Sequence, residues 1–396
     1  MKKSLVLLFC ILLLAVAPQG VYGASAHPPT YTYKDQTTKL KLSQEPLDWT
    51  FRGARISGNH VAWNKMKTFN KGVSYFDQIY YGNLSTGEVI QITDSESYKS
   101  NPVIAETAKG TYVIWADNLN YMGGGGGSAN DIFSYHVETR TLTKLNKTTG
   151  IYFDPPEAHG QHVVWSDRNA EVPKVRHADL NTGAENVIAE GHKPVIGNGI
   201  VIYQSIGNAK NDYKNGFYYY WLSSKEEKKL DGWFKESLYA FNGRFAMGAV
   251  SGGGVRIFDA KKPDSSGKTV LAESKSQIRL ALGDSYGYIA EKAGDDKVRL
   301  TVVDLLYQET FPMDINAAFD RLIGFSGDKL AYLDSENRVV LRTIEAPLDR
   351  SIRTADPIHV IMDGKEIAFH VPPMKVNGRV MVEIRPIFEQ LGFELK

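Results

Sequence analysis

The stretch Gly58-Asn59-His60-Val61-Ala62-Trp63 returns as Gly110-Thr111-Tyr112-Val113-Ile114-Trp115 and again as Gly160-Gln161-His162-Val163-Val164-Trp165. A turn glycine is followed three positions on by Val and five positions on by Trp. Residues two apart share one face of an extended strand, so Val and Trp point the same way. Copies ending in Tyr stand at Gly283 to Tyr288 and Gly327 to Tyr332, and degenerate ones at Asn198 to Tyr203 and Asn242 to Met247. In the first unit the phrase is followed by a polar stretch, 64–77. A second strand over 78–84, a turn at Ser85-Thr86-Gly87-Glu88 and a returning strand over 89–93 then complete the unit.

Self-similarity at about 40 to 50 residues, with four short strands per unit, predicts an all-β chain folded as a β-propeller. A single sheet of this size cannot bury both faces. Stacking the sheets radially buries the aromatic of one blade against the next. Seven four-stranded blades are expected over residues 27–345, six being the alternative count. The seventh unit lacks a clear fourth strand, while 31–42 is a spare strand at the other end. The N-terminal strand is therefore predicted to complete the last blade.

The turns Asn83-Leu84-Ser85-Thr86-Gly87 and Asp179-Leu180-Asn181-Thr182-Gly183, with the Val-x-Trp phrase before them, resemble the TolB-like, WD40-like propeller repeat of bacterial envelope proteins. A Ser-Pro-Asp-Gly turn, usual in that repeat, is replaced here by Gly-Asn, Gly-Gln and Gly-Asp. Beyond a linker at 346–357, the texture changes. The run Asp363-Gly364-Lys365, Phe369, Pro372-Pro373, Asn377-Gly378-Arg379, Met381-Val382, Arg385, Phe388-Glu389 and Leu391-Gly392 resembles the copper amine oxidase N-terminal-like, or stalk, domain of secreted proteins of Gram-positive bacteria. The resemblance covers 358–396, about half that family's length, and Glu383 stands where the family usually has proline. It predicts a small α+β half-domain, with two hairpins at the Asp-Gly and Asn-Gly turns and a helix over 383–391. It does not imply copper binding: only His359 and His370 offer nitrogen ligands there.

The N-terminus has the order of a secretory signal peptide: Lys2 and Lys3, an apolar run from Ser4 to Ala17, then Gly23, Ala24 and Ala26 as small residues at a cleavage site. The apolar run is shorter than the roughly 20 residues of a spanning helix, so removal of 1–26 is expected. Cys10 is the sole cysteine, which excludes a disulfide framework and a thiolate metal site from the processed chain. Formal net charge is +1 with no long block of one sign, which argues against a nucleic-acid surface or a polybasic membrane patch. The expected location is outside the cell or on the wall of a Gram-positive bacterium, with an envelope protein or a cell-wall glycan as partner.

Function in a propeller concentrates in the loops carried by the rigid blades. Aromatic and carboxylate residues near these loops are the ligand-binding candidates: Phe69, Tyr75, Asp117, Tyr121, Asp167 and Tyr213. Asp117 and Asp167 hold the same place after two of the tryptophans. A pair of carboxylates suits glycoside hydrolysis or Ca²⁺, and a turn aspartate bonding its own backbone is the simpler reading. The Gly123–Gly127 run is followed by no Lys-Ser/Thr and is no phosphate cradle. No His-Glu-x-x-His spacing and no Gly-x-Ser-x-Gly elbow occurs. No catalytic residue, metal or cofactor is assigned. The favoured expectation is a non-catalytic propeller that binds or scaffolds in the envelope; the alternative is an extracellular polysaccharide lyase or glycosidase working on the propeller face. Convergence of carboxylates or histidines at one mouth of the central channel would decide for the alternative.

Overall fold

The computed structural model describes residues 31–43 and 51–345, less short stretches at 70–73, 101, 122–129, 148–154, 170, 206–215, 231–236, 250–253, 263–266, 275 and 294–296, together with four short strands between 361 and 381. Seven four-stranded antiparallel sheets form a propeller ring. The inner strands are Phe51–Ser57, Val103–Thr107, Glu157–His159, His192–Gly197, Ser237–Phe241, Ile278–Leu282 and Leu322–Ser326, and each neighbours the next around a closed circle. The repeated phrase forms the second strand of its blade, as in His60–Phe69, Gly110–Asp117 and His162–Asp167.

The period-two alternation sets the packing. Val61 and Trp63 point back onto the seventh blade, where they join Ile323, Ala331, Leu333 and Leu341. Ala62, between them, faces forward and packs with Val113 and Trp115 of the second blade. Trp165 repeats the arrangement against Ile114 and Ala116, and Tyr203 against Val164 and Val175. The three tryptophans and Tyr203 are at most 1% exposed, so each ring is a wedge between two sheets. The fifth blade departs from this arrangement: Met247 faces forward, packed with Ile289 and Val303 of the sixth, and the small Ala246 faces back onto Ile202 and Tyr219 of the fourth.

The last blade closes as the sequence predicts. Its strand order is Thr32–Lys41 outermost, then Arg338–Glu345, Lys329–Leu333 and Leu322–Ser326 innermost. Leu40 and Leu42 are buried in the cluster that also holds Trp63. Gly82 leaves room for this closing strand: a Cβ there would meet Leu40 at 2.6 Å. Asp35 is gripped by Arg342 through two bonds of 2.7 Å, Nε to Oδ1 and a terminal nitrogen to Oδ2, and accepts a third from the Tyr332 hydroxyl at 3.0 Å. These bonds, the Arg342 pair first, hold the Asp35 carboxyl below its ordinary range against the opposing effect of burial. The Arg342 guanidinium also lies 4.2 Å over the Tyr33 ring.

On either side of 70–73 the polar stretch over 64–77 is strand. His60–Phe69 and Ser74–Asn83 extend through it as one long hairpin, paired from His60↔Asn83 to Phe69↔Ser74. Side-chain contacts stabilise the extension where the sequence shows only polarity. Phe69 meets Phe76 edge-on at 5.9 Å, and Lys67 pairs with Asp94 at 2.6 Å. In the separate C-terminal unit, Ile361–Met362 pairs with Lys365–Glu366 and Met374–Val376 with Arg379–Met381. These are hairpin positions expected there. The helix over 383–391, the signal segment and the linker lie outside the described residues. Among the described residues no helix is long and apolar enough to cross a membrane.

Replacing Trp165 by Ala empties a fully buried wedge and is expected to cost about 3–5 kcal/mol, read as a lower denaturant midpoint. Asp35→Ala strands the 6%-exposed Arg342 side chain without its carboxylate and is expected to cost about 1–3 kcal/mol. Because the folded Asp35 pKa is depressed, its contribution is present above the unfolded value near 4 and is lost as pH falls through the folded value. Urea titrations at pH 7 and pH 3 check this: the gap between wild type and Asp35→Ala shrinks at the lower pH.

Candidate functional site

Each inner strand ends in a tight turn, and these turns gather around one mouth of the axial channel. A belt of hydrogen bonds ties them together across every junction. Ser57 Oγ donates to Glu106 at 2.6 Å, and Lys109 Nζ donates to the Asn181 carbonyl. The Asn198 N–H donates to His159 Nδ1 at 3.2 Å, and its side chain to the Asn242 carbonyl at 3.4 Å. Asn242 Nδ2 donates to the Gly283 carbonyl at 2.8 Å. Ser285 binds Asp328, and Ser326 Oγ returns to the Gly58 carbonyl at 2.7 Å. Glycine is required where backbones meet: a Cβ on Gly283 would lie 2.2 Å from the Gly327 carbonyl oxygen.

Besides Glu106 and Lys109 of the belt, His159, Asp284 and Asp328 from three blades stand on this rim. Asp328 accepts from the Ser285 N–H at 2.5 Å and the Ser285 hydroxyl at 2.8 Å, one bond to each oxygen. Asp284 makes no side-chain hydrogen bond among the described residues. Burial, reinforced by the charge of Asp328, pushes its carboxyl up, and His159 offsets part of this. His159 is pushed down by burial and by His162, with Asp284 opposing. Since a backbone N–H can only donate, His159 Nδ1 is the acceptor, and the neutral ring carries its proton on Nε2.

One layer below the rim lies a cavity of roughly 180 Å³ walled by the inner strands. The residues two before the strand ends are Arg55, Ala105, Glu157, Val195, Tyr239, Leu280 and Gly324. Arg55 and Glu157 are the charged members of this layer. Burial pushes the Glu157 carboxyl up, and the Arg55 charge offsets it in part. Among the described residues no group of three or more His, Cys, Asp or Glu side chains is placed to hold a metal ion.

The candidates named from sequence lie elsewhere, around the loops at the opposite end of the blades. Asp117 is 3% exposed; it accepts from the Leu119 N–H at 3.0 Å and from Trp115 Nε1 at 3.2 Å. Asp167 is 5% exposed; it accepts from the Asn169 N–H at 3.0 Å and from Arg176 Nε at 2.6 Å. Both are turn aspartates holding their own loops. Tyr121 donates to the buried Asp131 at 3.2 Å. Phe69 and Tyr75 flank the long hairpin of the first blade, with Tyr75 44% exposed. Tyr213 lies outside the described residues. Arg55, Glu157, Asp284 and Asp328 had no mark in the sequence except as charged residues at or near the ends of inner strands.

No family model and no curated protein matches the sequence. Solved structures match the fold. A structure from a study of two prolyl endopeptidases aligns with TM-score 0.51 at 12% identity, over 82% of this chain and 54% of that one. Acylaminoacyl peptidase bound to Z-Gly-Gly-Phe-chloromethyl ketone aligns at 0.50 and 14% identity, over 82% and 57%. The acylaminoacyl peptidase of Pyrococcus horikoshii aligns at 0.50 and 12% identity, over 86% and 60%. This chain thus spans little more than half the length of these structures. At such identities the likeness establishes the propeller and nothing finer. The expectation of a non-catalytic binding or scaffolding role is corrected: these neighbours come from enzymes, and the convergence of carboxylates and a histidine at one channel mouth is the feature set out to decide against it.

A second histidine pair next to the rim gives the blades a pH dependence. His162 Nδ1 and His177 Nε2 are 3.0 Å apart and share one proton position. Burial and His162 push His177 down to about 4, with Asp179 opposing, and burial pushes His162 down as well. Depressed histidines bind protons more readily when unfolded, so stability is lost as pH falls from about 6.5 toward the folded values. By pH 4 the loss from His177 is expected to be roughly 2–3 kcal/mol. Urea midpoints measured from pH 7 to pH 4 check it: His177→Asn flattens this part of the acid limb.

Proposed function

We propose that the protein is an extracellular glycan-cleaving enzyme, a glycosidase or polysaccharide lyase, whose catalytic groups stand on the rim of the axial channel. The observation that carries this reading is the convergence of His159, Asp284 and Asp328 from the third, sixth and seventh blades over one cavity. Two carboxylates whose surroundings differ can divide acid and base roles between them. Asp284, whose carboxyl burial and its neighbour's charge push up, takes the part of proton donor to the leaving oxygen. Asp328, oriented by Ser285, accepts the proton of an attacking water, or the ring proton of an elimination. His159 Nε2–H donates to the sugar. The rim offers carboxylates and no serine or cysteine bonded to a histidine base among the described residues, a set suited to glycosidic bonds.

The stalk-domain resemblance of 358–396 and the signal-peptide pattern support action outside the cell on wall or exported polysaccharide. The peptidase neighbours support enzymatic use of this kind of propeller, and a peptide substrate is the competing outcome.

Release of new reducing or unsaturated ends from wall and uronate-containing polysaccharides by the full chain, measured between pH 4 and pH 8, tests the reading. Asp284→Asn and Asp328→Asn are each expected to lower kcat by about 10²–10⁴ with the thermal midpoint retained. Wild-type turnover in either variant, no glycan cleaved at any pH, or cleavage of peptides alone would overturn it.

A further inference from the structure

The channel wall carries a positive charge that the fold does not use. Arginines elsewhere are engaged: Arg176 with Asp167 and Glu185, Arg279 with Asp320, Arg338 with Asp334, Arg342 with Asp35. Arg55 lines the cavity, is exposed to it, and makes no hydrogen bond or ion pair among the described residues. Glu157 shares its layer two blades on, near enough to feel its charge and not bonded to it. Only Ala105 occupies the layer between them, so nothing bulky separates the two. The facing wall is Val195, Leu280 and Ile323. A guanidinium held against apolar walls is a receptor for a planar anion, because its fork matches a carboxylate through two parallel N–H···O bonds.

We propose that this cavity is the subsite for the terminal, carboxylate-bearing sugar of a uronic-acid glycan, with Arg55 gripping the carboxylate and Glu157 bonding an adjacent hydroxyl. The cavity of roughly 180 Å³ has room for a pyranose ring. With the terminal sugar held there the chain enters end first, and the next linkage lies toward the rim that carries Asp284 and Asp328. Burial disfavours a charged Glu157, which lessens its repulsion of the incoming carboxylate. The substrate class and end-first mode rest on the glycan-cleaving reading; the binding of the sugar acid does not.

Calorimetric titration of the full chain with glucuronate, galacturonate, glucose and a free-carboxyl tripeptide tests the proposal apart from catalysis. A uronate is expected to bind at least tenfold more tightly than glucose and than the peptide. Arg55→Ala is expected to abolish that preference, Arg55→Lys to retain part of it through charge without the fork, and Glu157→Gln to retain it. Thermal midpoints and circular dichroism confirm folding of each variant. Equal binding of glucose, tighter binding of the peptide, or undiminished uronate binding by Arg55→Ala overturns it. The Asp284→Asn variant separates the two readings. Uronate binding with no cleavage by the wild type sinks the rim chemistry alone, and cleavage of neutral glycans unaffected by Arg55→Ala sinks this subsite alone.

Discussion

Every other feature of this molecule depends on ring closure. A four-stranded sheet leaves two apolar faces, and each blade covers one face of each neighbour. Six junctions follow from chain order, since consecutive units lie side by side. The seventh joins the two ends of the repeat and has to be made by residues some 300 positions apart, a loop closure whose entropy grows only slowly with length. The chain solves this by lending the seventh blade its outermost strand from the N-terminus. Leu40 enters the same buried cluster as Trp63, and the Asp35–Arg342 pair fixes the register from outside. The closing strand therefore touches both the last blade, by its backbone, and the first, by its side chains.

Closure also determines what the axis can do. Seven inner strands end at the same level, so their turns form a rim whose backbones come near contact. Gly283 against the Gly327 carbonyl, and Gly197 against the Gly243 nitrogen, leave no space for a side chain. Residues remote in sequence but equivalent in the repeat are thereby brought to one place. Asp284 is brought within reach of the charges of Asp328 and His159 this way, and Glu157 of that of Arg55 one layer below. The charge state of each follows from crowding more than from direct pairing: burial leads the shifts of His159, Glu157 and Asp284 alike.

The architecture was legible because it is written at period two inside a longer repeat. Val61 and Trp63, Val113 and Trp115, Val163 and Trp165 identify the buried face without any knowledge of the ring. The need for a closing strand follows from a blade with three strands and a strand with no blade. The hairpin through 64–77 was hidden. Asn64, Lys65 and Lys67 read as a loop, whereas pairing with Ile79, Gln78 and Phe76 of the neighbouring strand holds them extended. Asp117 and Asp167 recur because the turn recurs, each accepting the N–H two residues on, and their recurrence carries no chemistry of its own.

By itself the sequence determined the repeat, the tryptophan wedges and the strand that closes the ring, since all of these depend on local alternation and on stacking neighbours. The meeting of charged groups at the axis was decided only by the tertiary structure. Glu157 occupies a position where most other blades carry uncharged residues, and Asp284 and Asp328 stand where other blades carry Asn59, Gln161 or glycine, so no pattern marks them as chemical groups. The radial arrangement brings them to a common rim, and crowding there, which no spacing along the chain encodes, shifts the carboxyls of Glu157 and Asp284 upward.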